Sequence, residues 1–475
     1  MEVGQEARAT GAKAEPGSFR DFDSRVLLSG DRILRALSPA GLEDFEALER
    51  SDLFAEGQSS GAIVNTGRAA GVELPPGAEP GAGVAAVLEH ERIPFVSWPY
   101  EWSFSMLKDA ALSQLELMKR ALAEQLILKD GTPYNTQFRG TKPVFIDVGS
   151  FEQLREGEPW FGYRQFCMQF LYPLMLQAFH GIPYQPLLRG RLDGIQPEEM
   201  RRSLRLRDWF RRGVLTHVVL HARLERRRGG ESTSDARAEL KKAGFGSKFI
   251  AANVEQLSRL IGRLDWNPGG SEWSGYSEDN TYDEGQLAAK EAFVAEAAET
   301  ASPSLVWDMG CNDGRFSLIA ARHADYVVAM DADQLTVDRL YRRLREEGSD
   351  KVLPLTLDLV DSSPNMGWRG AERRALDQRG RPDLVLALAL VHHMTIGANV
   401  PVDDFADWLA GLGDRVVVEF PHRDDPMVER LLARKRSGAH PDYELDRFAA
   451  ALERPMEIER REELGTRTLF RARRR

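Results

Sequence analysis

The spacing of apolar residues changes several times along the chain. From Asp21 to about Phe54 they recur at helix-like intervals, and "MLKDAALSQLELMKRALAEQ" (106–125) carries the three-and-four spacing of an amphipathic helix. Ahead of it, "IPFVSWPYEWSF" (93–104) reads as a strand or extended segment leading into that helix. Behind it, "LILKDGTPYNTQF" and "KPVFIDVG" read as two short strands around a turn at Gly140. Residues 160–225 return to helical spacing. The polar stretch "ERRRGGESTSDARAELKKAG" then separates this half from the rest. From about Ser271 strands alternate with helices, the pattern of a doubly wound, mostly parallel sheet. "MEIERREEL" and "RTLFRARR" predict a closing antiparallel hairpin. The expected organisation is a disordered tail over 1–18, an N-terminal α+β domain over 19–225, a helical linker over 226–270 and an α/β domain over 271–475.

Composition narrows the class. The chain has 475 residues, 42% hydrophobic and 29% charged, with a net charge of −10. That composition belongs to a globular protein of two or three domains, with no apolar run long enough for a bilayer. No basic-then-apolar leader opens the sequence, so a cytoplasmic location is expected. Cys167 and Cys311 are the only cysteines, too few for a disulfide framework or a cysteine-based zinc site, and no metal is expected. The acidic balance argues against a general nucleic-acid footprint. The arginine-rich run from Arg201 to Arg228 reads as a solvated helix face.

The chemistry concentrates in "LVWDMGCNDGRFSLIA" (305–320), where an apolar run ends at Asp308, turns through Gly310 and Gly314, and enters a helix. Glycine turns between strand and helix let a backbone approach a nucleotide-like ligand. The spacing fits neither G-x-G-x-x-G nor a P-loop, and Asp308 and Asp313 would repel a pyrophosphate. A ligand carrying an ammonium and a sulfonium would instead favour these carboxylates, and S-adenosylmethionine is one. The acids continue: Asp331 ends the next strand, placed to accept ribose hydroxyls, and Asp358 ends the third, placed to receive an adenine amino group. The fourth strand delivers His392 and His393 to the cleft, and the fifth ends at Glu419.

This series resembles the class I S-adenosylmethionine-dependent methyltransferases, whose motif D/E-x-G-x-x-x-G is matched by Asp308, Gly310 and Gly314. The resemblance implies a Rossmann-like sheet over 271–475 and S-adenosylmethionine as cofactor. The cofactor set it implies is Asp308, Gly310, Cys311, Asn312, Gly314, Asp331, Ala332, Asp358, Leu359 and Leu390. Asn312 stands where many members carry glycine, a tolerable change at a turn position with positive φ. Upstream, "SEWSGYSEDNTYDEGQLAAKEAFV" places Trp273, Tyr276, Asn280 and Tyr282 before a helix containing Lys290. Tyr282 is expected to cap the adenosine or shield the sulfonium, with interdomain packing of these aromatics as the alternative. His392, His393 and Glu419 are the catalytic candidates; a general base or an orienting role is open for the histidines. His422, Trp368, Glu372 and Arg373 are further acceptor candidates.

The N-terminal half holds a second pattern. Asp130 is followed by Asn135 and then by Asp147 at the end of an apolar strand. The spacing resembles the catalytic loop and metal-binding aspartate of protein-kinase-like and aminoglycoside-phosphotransferase-like folds, where the first aspartate positions a hydroxyl and the other two residues hold magnesium. Neither a Gly-rich loop nor a V-A-I-K-like lysine is evident, and Lys129 replaces the usual residue before the aspartate. An active kinase, a kinase-like domain that only holds a substrate, and an unrelated α+β domain all stay open.

The leading functional expectation is methyl transfer to an oxygen or nitrogen of a small-molecule or saccharide-like acceptor, with the N-terminal half shaping or presenting it. The alternatives are a protein or RNA methyltransferase that docks its substrate through the N-terminal half, and a non-catalytic regulator that binds S-adenosylmethionine.

Overall fold

Gly30, at φ +59°, reverses the chain between two strands, so the segment expected to be helical from Asp21 opens as a hairpin. In it Leu27 pairs with Leu34 and both are fully buried, a cross-strand pairing that spacing along the chain does not show. The computed structural model describes residues 12–223 apart from 73, 76–78, 82 and 156, and then 246–270 and 284–475. Strands β1 (Lys13–Ala14), β2 (Ser24–Ser29), β3 (Arg32–Leu37), β4 (Thr66–Arg68) and β5 (Ala86–His90) form an antiparallel sheet in the order β1-β2-β3-β5-β4. Lys13–Ala14 pairs with β2, which corrects the reading of residues 12–18 as tail. Helices α1 (Pro39–Glu49) and α2 (Asp52–Ser60) follow β3, each capped by a serine hydroxyl from Ser38 or Ser51.

The expected amphipathic helix is α3 (Phe104–Ala123), which buries Ala111, Leu115, Met118 and Leu122 along one stripe. It is followed by β6 (Leu126–Leu128), a hairpin of β7 (Thr136–Arg139) and β8 (Lys142–Phe145) turning at Gly140, and β9 (Phe151–Gln153), which returns to pair with β6. Helices then dominate up to residue 223. Within the expected linker, the helix Ser247–Gly262 packs on α3. Among the described residues no helix is long and apolar enough to cross a membrane.

The C-terminal part is α/β. Strands β10 (Leu305–Met309), β11 (Tyr326–Asp331), β12 (Val352–Thr356), β13 (Leu384–Ala387), β14 (Arg415–Pro421), β15 (Met456–Leu464) and β16 (Arg467–Arg474) form one sheet in the order β12-β11-β10-β13-β14-β16-β15. The first five pair in parallel, and β15–β16 is the expected antiparallel closing hairpin. Successive residues point to opposite faces, and here the two faces feed two cores. Val306, Val327, Ala329, Leu386 and Val417 pack with Phe293 and Val294 of the helix Glu284–Ala301. Trp307, Met309, Val328 and Val385 join the apolar cluster that contains Trp102 and Phe138 from the N-terminal half.

Polar contacts lock the two halves at the same seam. The Ser105 backbone N–H and hydroxyl donate to the two oxygens of buried Asp338 (2.7 and 3.1 Å), and Arg379 meets Glu101 at 2.6 Å with both side chains almost fully buried. The Gly140 N–H donates to the Tyr326 hydroxyl at 2.9 Å. A Cβ on Gly140 would lie 2.5 Å from Asp350 Cα, so that hairpin approaches the sheet domain too closely for a side chain.

Candidate functional site

The turn after β10 is built by its neighbour strand. The backbone N–H groups of Gly310 and Cys311 both donate to the Met330 carbonyl of β11 (2.8 and 3.0 Å). Asp331 then clamps the loop from the same strand: one carboxylate oxygen accepts from Asn312 N–H and the other from Asp333 N–H, each at 2.9 Å. Asn312 sits at φ +47°, a left-handed position that asparagine tolerates better than most side chains, as the sequence suggested. A Cβ on Gly310 (φ +81°) would make only ordinary contact, with Leu390 Cδ1 3.7 Å away. Gly314 (φ +79°) instead lies against Leu340, whose Cδ1 would be 2.6 Å from a Cβ. One glycine therefore leaves room above the turn, and the other lets the helix Arg315–Ala320 pack.

Asp308 points beneath the turn. It is buried and accepts the Ser317 hydroxyl at 2.5 Å, and burial raises its pKa to about 6 despite that hydrogen bond. Burial also raises Asp331, opposed by its backbone donors. Asp358 lies two residues past β12 and is exposed, its side chain turned back to Val360 N–H at 2.9 Å. Leu357 N–H donates to the Asp331 carbonyl, which ties this end to the same cleft. Ala332 and Leu359 flank the two aspartates. Tyr282, Trp273, Tyr276 and Asn280 lie outside the described residues.

The catalytic candidates gather around a set of buried charges that sequence reasoning did not assemble. β13 ends at Ala387, and the chain passes Ala389 at φ +50° into a helical turn carrying His392 and His393. His392 is fully buried, neither ring nitrogen has a hydrogen-bond partner among the described residues, and burial holds its pKa well below the ordinary value. His393 is partly exposed, lies against His392 with ring centroids 4.1 Å apart and the rings tilted by 38°, and is lowered to about 4 by burial and then by Arg467. Glu419 in β14 is buried and meets Lys290 Nζ at 2.8 Å. Arg467, also buried, reaches Asp425 at 2.7 Å and lies 3.8 Å from Glu419. Burial lowers Lys290, and Glu419 opposes it. The signal for Lys290 was a lone cation among the apolar residues of "LAAKEAFV"; Arg467, at the start of a strand, offered none.

The other acceptor candidates lie elsewhere. His422 is engaged with the Thr468 hydroxyl at 2.8 Å and Trp368 is exposed. Glu372 and Arg373 line the cavity at the N-terminal sheet. The second pattern is gathered around one hairpin: Asp147 meets Arg35 of β3 at 2.8 Å, Ile146 N–H donates to the Asn135 carbonyl, and Asp130 is raised to about 6 by burial and then by Asp147. Among the described residues no group of three His, Cys, Asp or Glu side chains is arranged to hold a metal ion.

A parallel sheet closed by an antiparallel hairpin, with an acid at the ends of its first two strands and a glycine turn between strand and helix, defines an α/β, Rossmann-like domain. Nodulation protein NoeA of Rhizobium meliloti (strain 1021) is 35% identical over 448 residues, covering 92% of this chain and 90% of that protein, and the chain belongs to the NoeA family. No protein-family profile matches it. Among solved structures, N-methyltransferase NodS from Bradyrhizobium japonicum WM9 is similar over 40% of this chain and 98% of its own (11% identity, TM-score 0.30). Magnesium protoporphyrin IX methyltransferase from Synechocystis PCC 6803 with bound SAH is similar over 43% of this chain and 96% of its own (16% identity, TM-score 0.30).

Proposed function

We propose that the chain is a methyltransferase that uses S-adenosylmethionine to methylate an oxygen or nitrogen of a small-molecule or saccharide-like acceptor. The observation that carries this is the open, acid-flanked turn: Gly310 leaves space above the backbone, and Asp331 latches the loop with remaining lone pairs on both carboxylate oxygens. These residues fit the group. Asp331 would take the ribose hydroxyls, Asp358 the adenine amino group and Leu390 the ring, while Asp308 holds the turn on its helix from below. When bound, the cofactor supplies a methyl group already activated on a sulfonium.

The protein then has to position and dry the acceptor. His393 is neutral at physiological pH because burial lowers its pKa to about 4, which also makes it a weak base, so its part is to accept a hydrogen bond from the acceptor and orient it rather than to take up its proton. Lys290 and Glu419 compensate one another, so the cleft keeps its shape without an unpaired buried charge. The test is calorimetry of the full chain with S-adenosylmethionine, followed by mass spectrometry of cell extract incubated with the chain and methyl-labelled cofactor. Saturable binding and a labelled small molecule are expected. Absence of binding sinks the reading, and label found only in protein or RNA moves the acceptor to a macromolecule.

A further inference from the structure

A cavity of about 640 Å3 lies between the N-terminal sheet and the crossover that joins β12 to β13. Its apolar lining comes from the β2–β3 hairpin through Val26, Leu28 and Ile33, and from Ile146 just past β8. Its charged lining is unevenly matched. Arg35 is paired with Asp147, Arg20 with Glu372, Arg374 with Glu15 and Arg379 with Glu101. Among the described residues Arg373 has no carboxylate within ion-pair distance. Its guanidinium lies 4.0 Å from the Tyr134 ring centroid and 5.3 Å from that of Trp98, one terminal nitrogen donates to the Glu372 carbonyl, and its buried Nε meets no acceptor. Beside Tyr134, the buried Asn135 Nδ2 also has no acceptor. Buried donors without acceptors are costly, and here Asn135 Nδ2 from one half of the chain and Arg373 Nε from the other, with the Tyr134 hydroxyl and Arg379 Nε beside them, belong to residues that line the same cavity.

We propose that this cavity is a ligand site distinct from the methyl-transfer cleft, and that it takes a ring-bearing anion of nucleotide size. The anionic oxygens meet Arg373 and Asn135 Nδ2, and the ring lies on the apolar face of the hairpin. The volume falls within the usual range for such ligands, and an arginine stacked on aromatic rings is preorganised to hold an oxyanion. Binding needs no divalent cation, because Arg35 already neutralises Asp147 at 2.8 Å. Since the wall carrying Arg373 belongs to the C-terminal half, the site exists only in the joined chain.

The experiment uses the full chain, with ADP as probe, EDTA present, and S-adenosylmethionine at saturation so that an adenosine-binding cleft is filled. The expected result is saturable ADP binding by calorimetry, weakened at least about tenfold in Arg373→Ala and measurably in Asn135→Ala, the scale of a lost charged hydrogen bond. No ADP binding, binding abolished by S-adenosylmethionine, binding that requires magnesium, or equal binding in wild type and both variants overturns the proposal. Asn135→Ala removes an amide nitrogen that has no hydrogen-bond partner among the described residues, so a folding defect does not obscure it. If the chain does not bind S-adenosylmethionine, the methyltransferase reading fails alone. The ADP titration is then run with and without Asp331→Ala, and binding lost in that variant overturns the separate site.

Discussion

Asp331→Asn separates two jobs of one carboxylate. In the fold Asp331 accepts one backbone N–H on each oxygen, from Asn312 and Asp333, at 2.9 Å each. The amide keeps a single acceptor oxygen, so one of these bonds and the charge are lost. A hydrogen bond to a charged group contributes about 1.5–3 kcal/mol, and burial already opposes the ionised form here. The net loss of stability should therefore fall at the lower end, about 1–2 kcal/mol, read as a shift in urea midpoint with unchanged slope. Cofactor affinity should fall more, because a neutral amide cannot accept both ribose hydroxyls: about 1.5–3 kcal/mol, or roughly 10- to 150-fold in Kd. The ribose is common to S-adenosylmethionine and S-adenosylhomocysteine, so calorimetry should show both weakened alike. A loss confined to S-adenosylmethionine would mean that the carboxylate acts on the sulfonium charge, and unchanged affinity for both would remove Asp331 from the site.

Three further outcomes follow from the same geometry. Gly314→Ala forces a left-handed residue against Leu340 and should destabilise by about 2–4 kcal/mol in urea denaturation, whereas Gly310→Ala, whose Cβ meets Leu390 only at ordinary contact distance, should show only the conformational part, about 1–2 kcal/mol. Lys290→Met and Glu419→Leu should each destabilise by about 3–5 kcal/mol while the double variant recovers most of that loss; additive losses would show that the two charges are not a pair. His393 has a folded pKa of about 4 against an ordinary 6.5, so the unfolded chain binds the proton first and stability is lost as pH falls from 6.5 towards 4. That amounts to about 2 kcal/mol between pH 7 and pH 5, and His393→Gln should flatten that part of the urea-derived stability profile.

What the sequence disclosed depended on the range of the interactions involved. The order of elements after residue 284 was legible because parallel strands buried on both faces are near-continuous apolar runs, as in "YVVAMD" with its helix behind it. The role of Asn312 was legible because a left-handed turn residue is a local property. The β2–β3 hairpin was not, since "SRVLLSGDRILRAL" contains apolar residues at both two- and three-residue separations, such as Val26 and Leu28 or Leu34 and Leu37, and only the cross-strand pairing of Leu27 with Leu34 decides between them. Arg35 was missed for a related reason. On β3 it shares a face with Ile33 and Leu37, an unusual place for a cation, but the partner that holds it, Asp147, lies more than a hundred residues away.

The least legible feature was how the two halves share a core. Alternation along β10 sends Val306 to one side and Trp307 to the other, and nothing local says that the first side meets a helix of its own domain while the second meets Trp102 and Phe138. The crossover after β12 shows the consequence. Read locally, "MGWRGAERRAL" follows a cofactor-binding strand, so Glu372 and Arg373 look like acceptor-cleft residues. In the fold Glu372 is drawn to Arg20 by two hydrogen bonds of 2.7 and 2.9 Å, and Trp98 Nε1 donates to the Arg374 carbonyl at 3.0 Å. Three contacts spanning more than 270 residues outweigh the position of the segment in sequence, and they carry Arg373 away from methyl-transfer chemistry to the wall of a separate cavity. A variant that releases this tether, Arg20→Ala, removes two charge-assisted hydrogen bonds from a half-exposed pair and should reduce stability only modestly. It should nevertheless weaken ADP binding in that cavity while leaving S-adenosylmethionine affinity unchanged, because Asp331, Gly310 and Leu390 are held by β11 and the segment after β13 and owe nothing to Arg20. Equal weakening of both ligands would show that the crossover couples the two sites.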